Sequence, residues 1–193
     1  LISEKSLEIP CQLIGNNKAI FFAKNIPANG YKAFNVIEST KANTESVSID
    51  NTFAENKFFN IKFNNEGHIT SIFDKKNNRE VLKSGELANV IQAFEDKPMD
   101  YDNWDIEIYY DEKMWMVNDV QNMKVIESGS VRSTLQITRK FLDSTLIQKV
   151  HVYNDIPRID FNTYIDWTQS QVLLKAAFPL DINSNEATYE IQY

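Results

Sequence analysis

Four aspartates and two large rings are gathered in one short stretch, Asp96-Lys97-Pro98-Met99-Asp100-Tyr101-Asp102-Asn103-Trp104-Asp105. Ionised carboxylates accept hydrogen bonds from hydroxyl groups. Flat apolar rings cover C–H faces. A sugar presents both kinds of surface, so Asp96, Tyr101, Asp102, Trp104 and Asp105 are candidates for the rim of a carbohydrate pocket. The same residue types also suit a solvated loop that a single Trp anchors to the core. Both readings stand on the residues alone.

The flanking pattern sets what must hold this loop. Ala88–Phe94 alternates as a strand does, with Val90, Gln92 and Phe94 toward one side and Ile91 and Ala93 toward the other. Pro98 has no N–H to give a ladder, so the strand ends before it. A second strand is expected over Ile106–Tyr110.

The bulk properties exclude several classes. A net charge of −7 disfavours nucleic acid or an anionic membrane as partner, since both need a basic face. No apolar run approaches the roughly 20 residues that a bilayer-spanning helix requires. Cys11 is the sole cysteine, so neither an intrachain disulfide nor a cysteine zinc cluster can form. His68 and His151 are isolated, and zinc needs three or four ligands. No metal site is therefore expected in this chain, and each histidine is expected at the surface or in a groove. Either one beside an Asp or Glu in a groove would suit a sugar epimerase or mutarotase. No nucleophile elbow, phosphate loop or dinucleotide fingerprint occurs. No Asn-X-Ser/Thr sequon occurs, and the first residues given do not read as a basic-then-apolar leader. These features fit a cytoplasmic protein.

The rest of the chain is punctuated like an all-β protein. Short strands are expected over Ile9–Ile14, Lys18–Ala23 and Tyr31–Glu38, forming the tail of a small β unit that spans residues 1–45. Lys41–Ser46 reads as a linker. A larger body, 46–193, carries strands over Asn56–Phe63, His68–Phe73, Asn118–Glu127, Val131–Phe141, Thr145–Tyr153, Arg158–Trp167, Val172–Leu180 and Ala187–Tyr193. A helical turn fits Glu38–Glu45 or Asn183–Ala187. Turn signals recur at about ten-residue spacing, as in an antiparallel β-sandwich. The apolar cluster Met114-Trp115-Met116 reads as a core cap or as a contact for a neighbour.

Several of these segments carry a resemblance. Ile9-Pro10-Cys11-Gln12, Phe21-Phe22-Ala23-Lys24-Asn25-Ile26-Pro27 and Gly30-Tyr31-Lys32 come first. Gly67-His68-Ile69-Thr70-Ser71-Ile72-Phe73-Asp74-Lys75 follows, with Arg79-Glu80-Val81-Leu82. Then come Phe94-Glu95-Asp96-Lys97-Pro98, Asp102-Asn103-Trp104-Asp105-Ile106 and Glu127-Ser128-Gly129-Ser130-Val131-Arg132. Arg158-Ile159-Asp160-Phe161 with Asp166-Trp167, Leu174-Lys175-Ala176-Ala177-Phe178-Pro179 and Ala187-Thr188-Tyr189-Glu190-Ile191-Gln192 close the set. In this order they resemble the carboxy-terminal β region of the α-mannosidases of glycoside hydrolase family 38. Asn103 stands where that pattern has Ala, and Ser130 where it has Pro.

The resemblance implies a galactose-mutarotase-like supersandwich, cut at both ends from a longer enzyme. It implies retaining hydrolysis of α-mannosides by that parent, with an Asp nucleophile and a zinc ion in a catalytic domain elsewhere. This chain would then have no cofactor and no catalytic residue of its own. Its partners would be the catalytic domain and a mannoside or oligosaccharide. A carbohydrate-binding module with Tyr101, Trp104 and Tyr109 as its platform is the alternative. Self-association into a homo-oligomer is expected through the sheet edge at Tyr189–Tyr193 and through Met114–Met116.

Overall fold

A computed structural model describes residues 2–4, 7–15, 17–37, 46–102 and 104–189. Their regular structure is strand apart from one short 3-10 helix, as the punctuation predicts. The strands begin with β1 (Ile2–Glu4), β2 (Leu7–Ile9), β3 (Cys11–Leu13), β4 (Ala19–Phe21) and β5 (Asn35–Val36). Next come β6 (Ser48–Ile49), β7 (Phe53–Glu55), β8 (Phe59–Phe63), β9 (Ile69–Asp74) and β10 (Arg79–Glu80). β11 (Val90–Glu95) leads to a 3-10 helix, Ile108–Glu112, and to β12 (Met114–Met116). β13 (Asp119–Glu127), β14 (Arg132–Phe141), β15 (Ser144–Tyr153), β16 (Ile159–Asp166) and β17 (Val172–Ala177) complete the order. No helix among the described residues is long and apolar enough to cross a membrane.

Three sheets build the body. One runs β10-β9-β8-β7-β6, the second β12-β11-β17 and the third β13-β14-β15-β16, with every pairing antiparallel. The long strands β14 and β15 turn one face inward along ten residues each. At one end of that face, Leu135, Ile137, Val150 and Val152 pack on Ala54, Ile61, Phe63, Ile69 and Ile72 of the five-stranded sheet. At the other end, Leu146 and Phe141 pack with Ile91, Ala93 and Leu174 of the three-stranded sheet. Each such aliphatic side chain taken fully from water contributes about 1.5–3 kcal/mol. Between the two apolar clusters, on the same two strands, lie Arg139 and Gln148, which are also buried.

Turn chemistry explains where strands stop. The strand expected over Asn56–Phe63 is in fact the second half of a hairpin, because Asn56 Oδ1 accepts from the backbone N–H of Phe58 and of Phe59 and bends the chain there. Asn64 Oδ1 holds the next turn by accepting from Glu66 N and His68 N. Gly67 follows at φ +70, and a Cβ there would meet Arg139 Nη2 at 2.7 Å. Asp74 Oδ1 accepts from Lys76 N and Asn77 N, closing the polar turn expected after β9.

Some expected elements are shorter or different. Only Asn35–Val36 of the Tyr31–Glu38 segment is strand among the described residues. Residues 187–189 and Asn183–Ala187 form neither strand nor helix, while 190–193, the turn residue Asn16 and most of the Lys41–Ser46 linker lie outside the described residues. Ile106–Tyr110 is not a strand, because Met114–Met116 takes the ladder position beside β11. The Met114-Trp115-Met116 cluster is thus an edge strand with its side chains about half exposed.

A buried amide of β3 fastens the N-terminal strands to the body, beside the Lys24–Asp155 ion pair at 3.6 Å. Gln12, 8% exposed, accepts at Oε1 from Val131 N and Arg132 N, both at 3.0 Å, and donates from Nε2 to Glu127 Oε1 at 2.8 Å. Gly129 permits the approach, since a Cβ there would stand 2.2 Å from Gln12 Cδ. Gln12→Ala leaves two backbone donors without an acceptor and is expected to cost about 1–3 kcal/mol in urea unfolding. Leu13→Ala, beside it and 78% exposed, is expected to change stability by less than about 0.5 kcal/mol. Equal effects from the two would contradict this role for the amide.

Candidate functional site

The acidic, aromatic loop leaves the end of β11. Asp96 N donates to Gln171 O at 2.9 Å, so the ladder with the β17 side extends one residue into the loop. Pro98 then ends it. Beyond, the chain closes a tight turn in which Trp104 N and Asp105 N both donate to Tyr101 O, at 2.8 and 3.0 Å. Tyr101 takes a left-handed φ of 54° to allow this.

The turn throws its rings outward. Tyr101 is 75% exposed and Trp104 86% exposed, so Trp104 does not anchor the loop to the core. Met99, Ile106 and Ile108 of the same segment are exposed as well. Asp102 and Asp105 are exposed on the same turn. Asp96 differs: it is half-buried at the root, and its Oδ1 is enclosed without a hydrogen-bond partner. The 3-10 helix buttresses the loop's far end. Tyr110 packs edge-on against Phe94 with ring centres 5.3 Å apart. Lys175 sets its ammonium over the Tyr110 ring at 3.8 Å. A cleft of about 340 Å³ nearby is lined by Glu95, Lys97, Tyr109, Glu112 and Lys113, and by none of the five candidates. The loop therefore offers acceptors and ring faces as a projecting edge, which a second surface would have to complete to form a pocket.

A second polar centre was not singled out from sequence. Arg139 is 1% exposed on the otherwise apolar inner face of β14. Its Nη2 donates to Glu66 O at 2.8 Å, and Nη1 lies 3.5 Å from Gln148 Oε1. Asn89 Nδ2 donates to Gln148 Oε1 at 2.7 Å and to Gly67 O at 3.3 Å. Burial draws the Arg139 guanidinium down to about 10, which leaves it charged at neutral pH. His68 lies beside it, 2% exposed. Its Nδ1 stands 3.4 Å from Glu66 Oε2, and neither ring nitrogen makes a well-aligned hydrogen bond. Asn89 Oδ1 and Arg139 Nε are likewise enclosed without partners. Each such atom costs roughly 1–3 kcal/mol, so four in one centre demand an explanation. The signal for it in sequence was Arg139, a charge at an inward position of an alternating strand.

Both histidines are buried, so of the surface or groove placement expected for each, the surface half is corrected. His68 does line a groove, beside Glu66 and Glu86. His151 instead lies within the sheet, with Thr134 Oγ1 at 2.8 Å from its Nδ1, and Thr134 Oγ1 in turn donating to Glu127 Oε2 at 2.8 Å. Among the described residues, no group of three or more His, Cys, Asp or Glu side chains stands close enough to hold a metal ion.

Residues 54–193 match the model of the glycosyl hydrolases family 38 C-terminal domain. The chain belongs to this family. It is 31% identical over 188 residues to alpha-mannosidase G of Dictyostelium discoideum, covering 88% of this chain and 17% of that protein. It is 29% identical over 144 residues to alpha-mannosidase 2C1 of Homo sapiens, covering 72% and 14%. With alpha-mannosidase of Saccharomyces cerevisiae it shares 24% over 140 residues, covering 66% and 13%. The chain thus spans about a sixth or less of the length of these curated relatives.

Several family motifs are structural in this family 38 C-terminal domain. Glu80 accepts at Oε1 from three backbone N–H groups, of Ile72, Val81 and Leu82, and at Oε2 from Ser71 Oγ, and so ties β9 to β10. Glu127 receives Arg132 Nε at 3.2 Å on each oxygen, closing the turn that Gly129 opens to Gln12. Ser130, where the pattern has Pro, donates to Cys11 O at 3.2 Å. Asp160 accepts from Tyr153 OH at 2.7 Å and from Arg158 Nη2 at 2.9 Å.

The buried histidines set a pH dependence. Burial and the nearby Arg139 hold His68 below its ordinary value near 6.5, against the pull of Glu66 and Asn118. Burial and Arg132 do the same for His151, against Glu127 and Asp160. The unfolded chain therefore binds protons that the folded chain refuses, and stability is lost as pH falls below about 6.5. Each histidine contributes at most about 1.4 kcal/mol per pH unit. Urea unfolding between pH 7 and 5 is expected to show this fall, and His151→Gln to flatten it. A level curve through that window would contradict the assignment.

Proposed function

We propose that this chain is the non-catalytic β region of a longer glycoside hydrolase that cleaves α-mannosides. The family match carries this reading, together with the names of the relatives. In it, the sandwich packs on a catalytic domain and holds the Asp96–Asp105 loop at the rim of that domain's pocket. The exposed rings of Tyr101 and Trp104 support the rim role, because a projecting apolar edge needs a surface to meet. Asp102 and Asp105 would accept hydrogen bonds from sugar hydroxyls there, and Trp104 would cover a C–H face. The exposed face of β12 supports contact with the catalytic domain for the same reason. The nucleophile and a zinc ion would belong to that domain. Retaining hydrolysis uses two carboxylates about 5 Å apart, and both would lie outside this chain. A cytoplasmic location is part of the proposal.

The test is an aryl α-mannoside assay on the longer protein and on this chain alone. The longer protein is expected to turn over and this chain, with zinc added, is not. Trp104→Ala in the longer protein is expected to lower kcat/KM by about tenfold, from loss of one ring contact of roughly 1–1.5 kcal/mol, with Tm unchanged. Turnover by this chain alone would overturn the non-catalytic role, and an unchanged kcat/KM would overturn the rim. The exposed rings also favour a second reading, a carbohydrate-binding loop that needs no catalytic domain. Trp fluorescence that does not respond to millimolar mannose would remove it.

A further inference from the structure

The groove over His68 shares only Met116 with the surfaces used above. It encloses about 560 Å³ between the turn after β8, the segment leading into β11 and the end of β17. That is within the size range of small-molecule sites. Glu66 and Glu86 stand on its lining with the amides of Gln92 and Asn118, and no Lys or Arg side chain lines it. Apolar surface comes from Leu87, Met116 and Phe178. His68 is the buried polar member of the lining; Glu66 Oε2 stands 3.4 Å from its Nδ1, and neither ring nitrogen makes a well-aligned hydrogen bond.

These groups select a ligand chemistry. Two carboxylates without a lining cation repel anions. A lone metal ion lacks a third ligand here. A simple ammonium would use the carboxylates and leave the amides, the imidazole and the apolar wall unused. A neutral ring bearing several hydroxyls uses all of them: hydroxyls donate to the carboxylates, accept from the amides and do both with an uncharged imidazole. Glu66, Glu86, Met116 and Asn118 are exposed side chains. One of them swinging aside would admit a hydroxyl to the ring.

We infer that the His68 groove is a binding site for a neutral monosaccharide, separate from the Asp96–Asp105 loop and standing whether or not that loop rims a catalytic pocket. His68 orients the ligand from the floor and Glu86 holds it at the mouth. A free or glycosidic pyranose of about 13 non-hydrogen atoms is expected to bind with Kd on the order of 1 mM.

The experiment titrates this chain with methyl α-mannoside, glucose, galactose and myo-inositol, each to about 20 Kd of the expected affinity, by calorimetry and proton NMR. The expected result is heat of binding with at least one of them, and a shift of the His68 ring protons while those of His151 stay in place. Glu86→Gln, an exposed substitution that spares the fold, is expected to weaken binding about tenfold. His68→Gln is expected to abolish it, and circular dichroism establishes that this variant folds. No heat and no His68 shift with any of the four overturns the site. So does binding that Glu86→Gln leaves unchanged. A response confined to the Trp104 indole overturns it too, while leaving the rim reading intact.

Discussion

A buried guanidinium divides this domain. Arg139 sits on the inner face of β14 at the level where the five-stranded sheet gives way to the three-stranded one. Leu135 and Ile137 lie to one side of it and Phe141 to the other. Gln148 does the same on β15, between Val150 and Leu146, and Asn89 between Ala88 and Ile91. The core is therefore two apolar compartments joined by a polar layer. Burying such a group is expensive unless it is hydrogen-bonded. Glu66 O and Gln148 Oε1 supply that, and they fix the turn after β8 and the entry to β11 against the long strands. The arrangement specifies which sheet covers which half of β14 and β15, because a slip by one pair of residues would bury the charge in hydrocarbon.

The two surfaces with chemical character follow from this layer. The His68 groove opens at its edge, where Gly67 brings the backbone against Arg139 and no side chain could fit. The acidic loop projects from the far end of β11, which enters beside the layer and is held on both sides by β12 and β17. A loop on a central strand has a firm base, and its position is set by packing more than by its own sequence. The polar and charged residues of the segments that carry the resemblance serve mainly as fasteners: Glu80 between β9 and β10, and Glu127, Arg132 and Gln12 between the β3–β4 hairpin and the sandwich.

Much of the architecture was legible from alternation and turn residues. Asn64-Asn65-Glu66-Gly67 and Asp74 mark their turns because the side chains that signal them make the bonds that close them. The long strands β14 and β15 were found nearly to the residue for the same local reason. What failed was non-local. Ile106–Tyr110 has strand composition but loses its ladder place to Met114–Met116, a competition that no local pattern reveals. Trp104 reads as anchor or as platform until its exposure is known. His68 and His151 lie on or next to strands whose neighbours point both ways, so their burial depends on what packs above and below. Arg139 was visible as an anomaly in an apolar series, but its partners come from residues 66, 89 and 148.

The pairing of β11 with β17 joins Val90 to Ala177. The meander β13 to β16, by contrast, links neighbours in sequence. On the ribosome, at 5–20 residues per second, β11 emerges roughly 4–17 s before β17 does. β12 and then Phe141 and Leu146 reach it earlier, but its β17 edge stays open throughout that interval, while the hairpins ahead of it and the meander behind it close on their own. A trigger-type holding chaperone would find its longest-lived target there, and slowed translation across residues 100–175 would raise misassembly of this strand before any other.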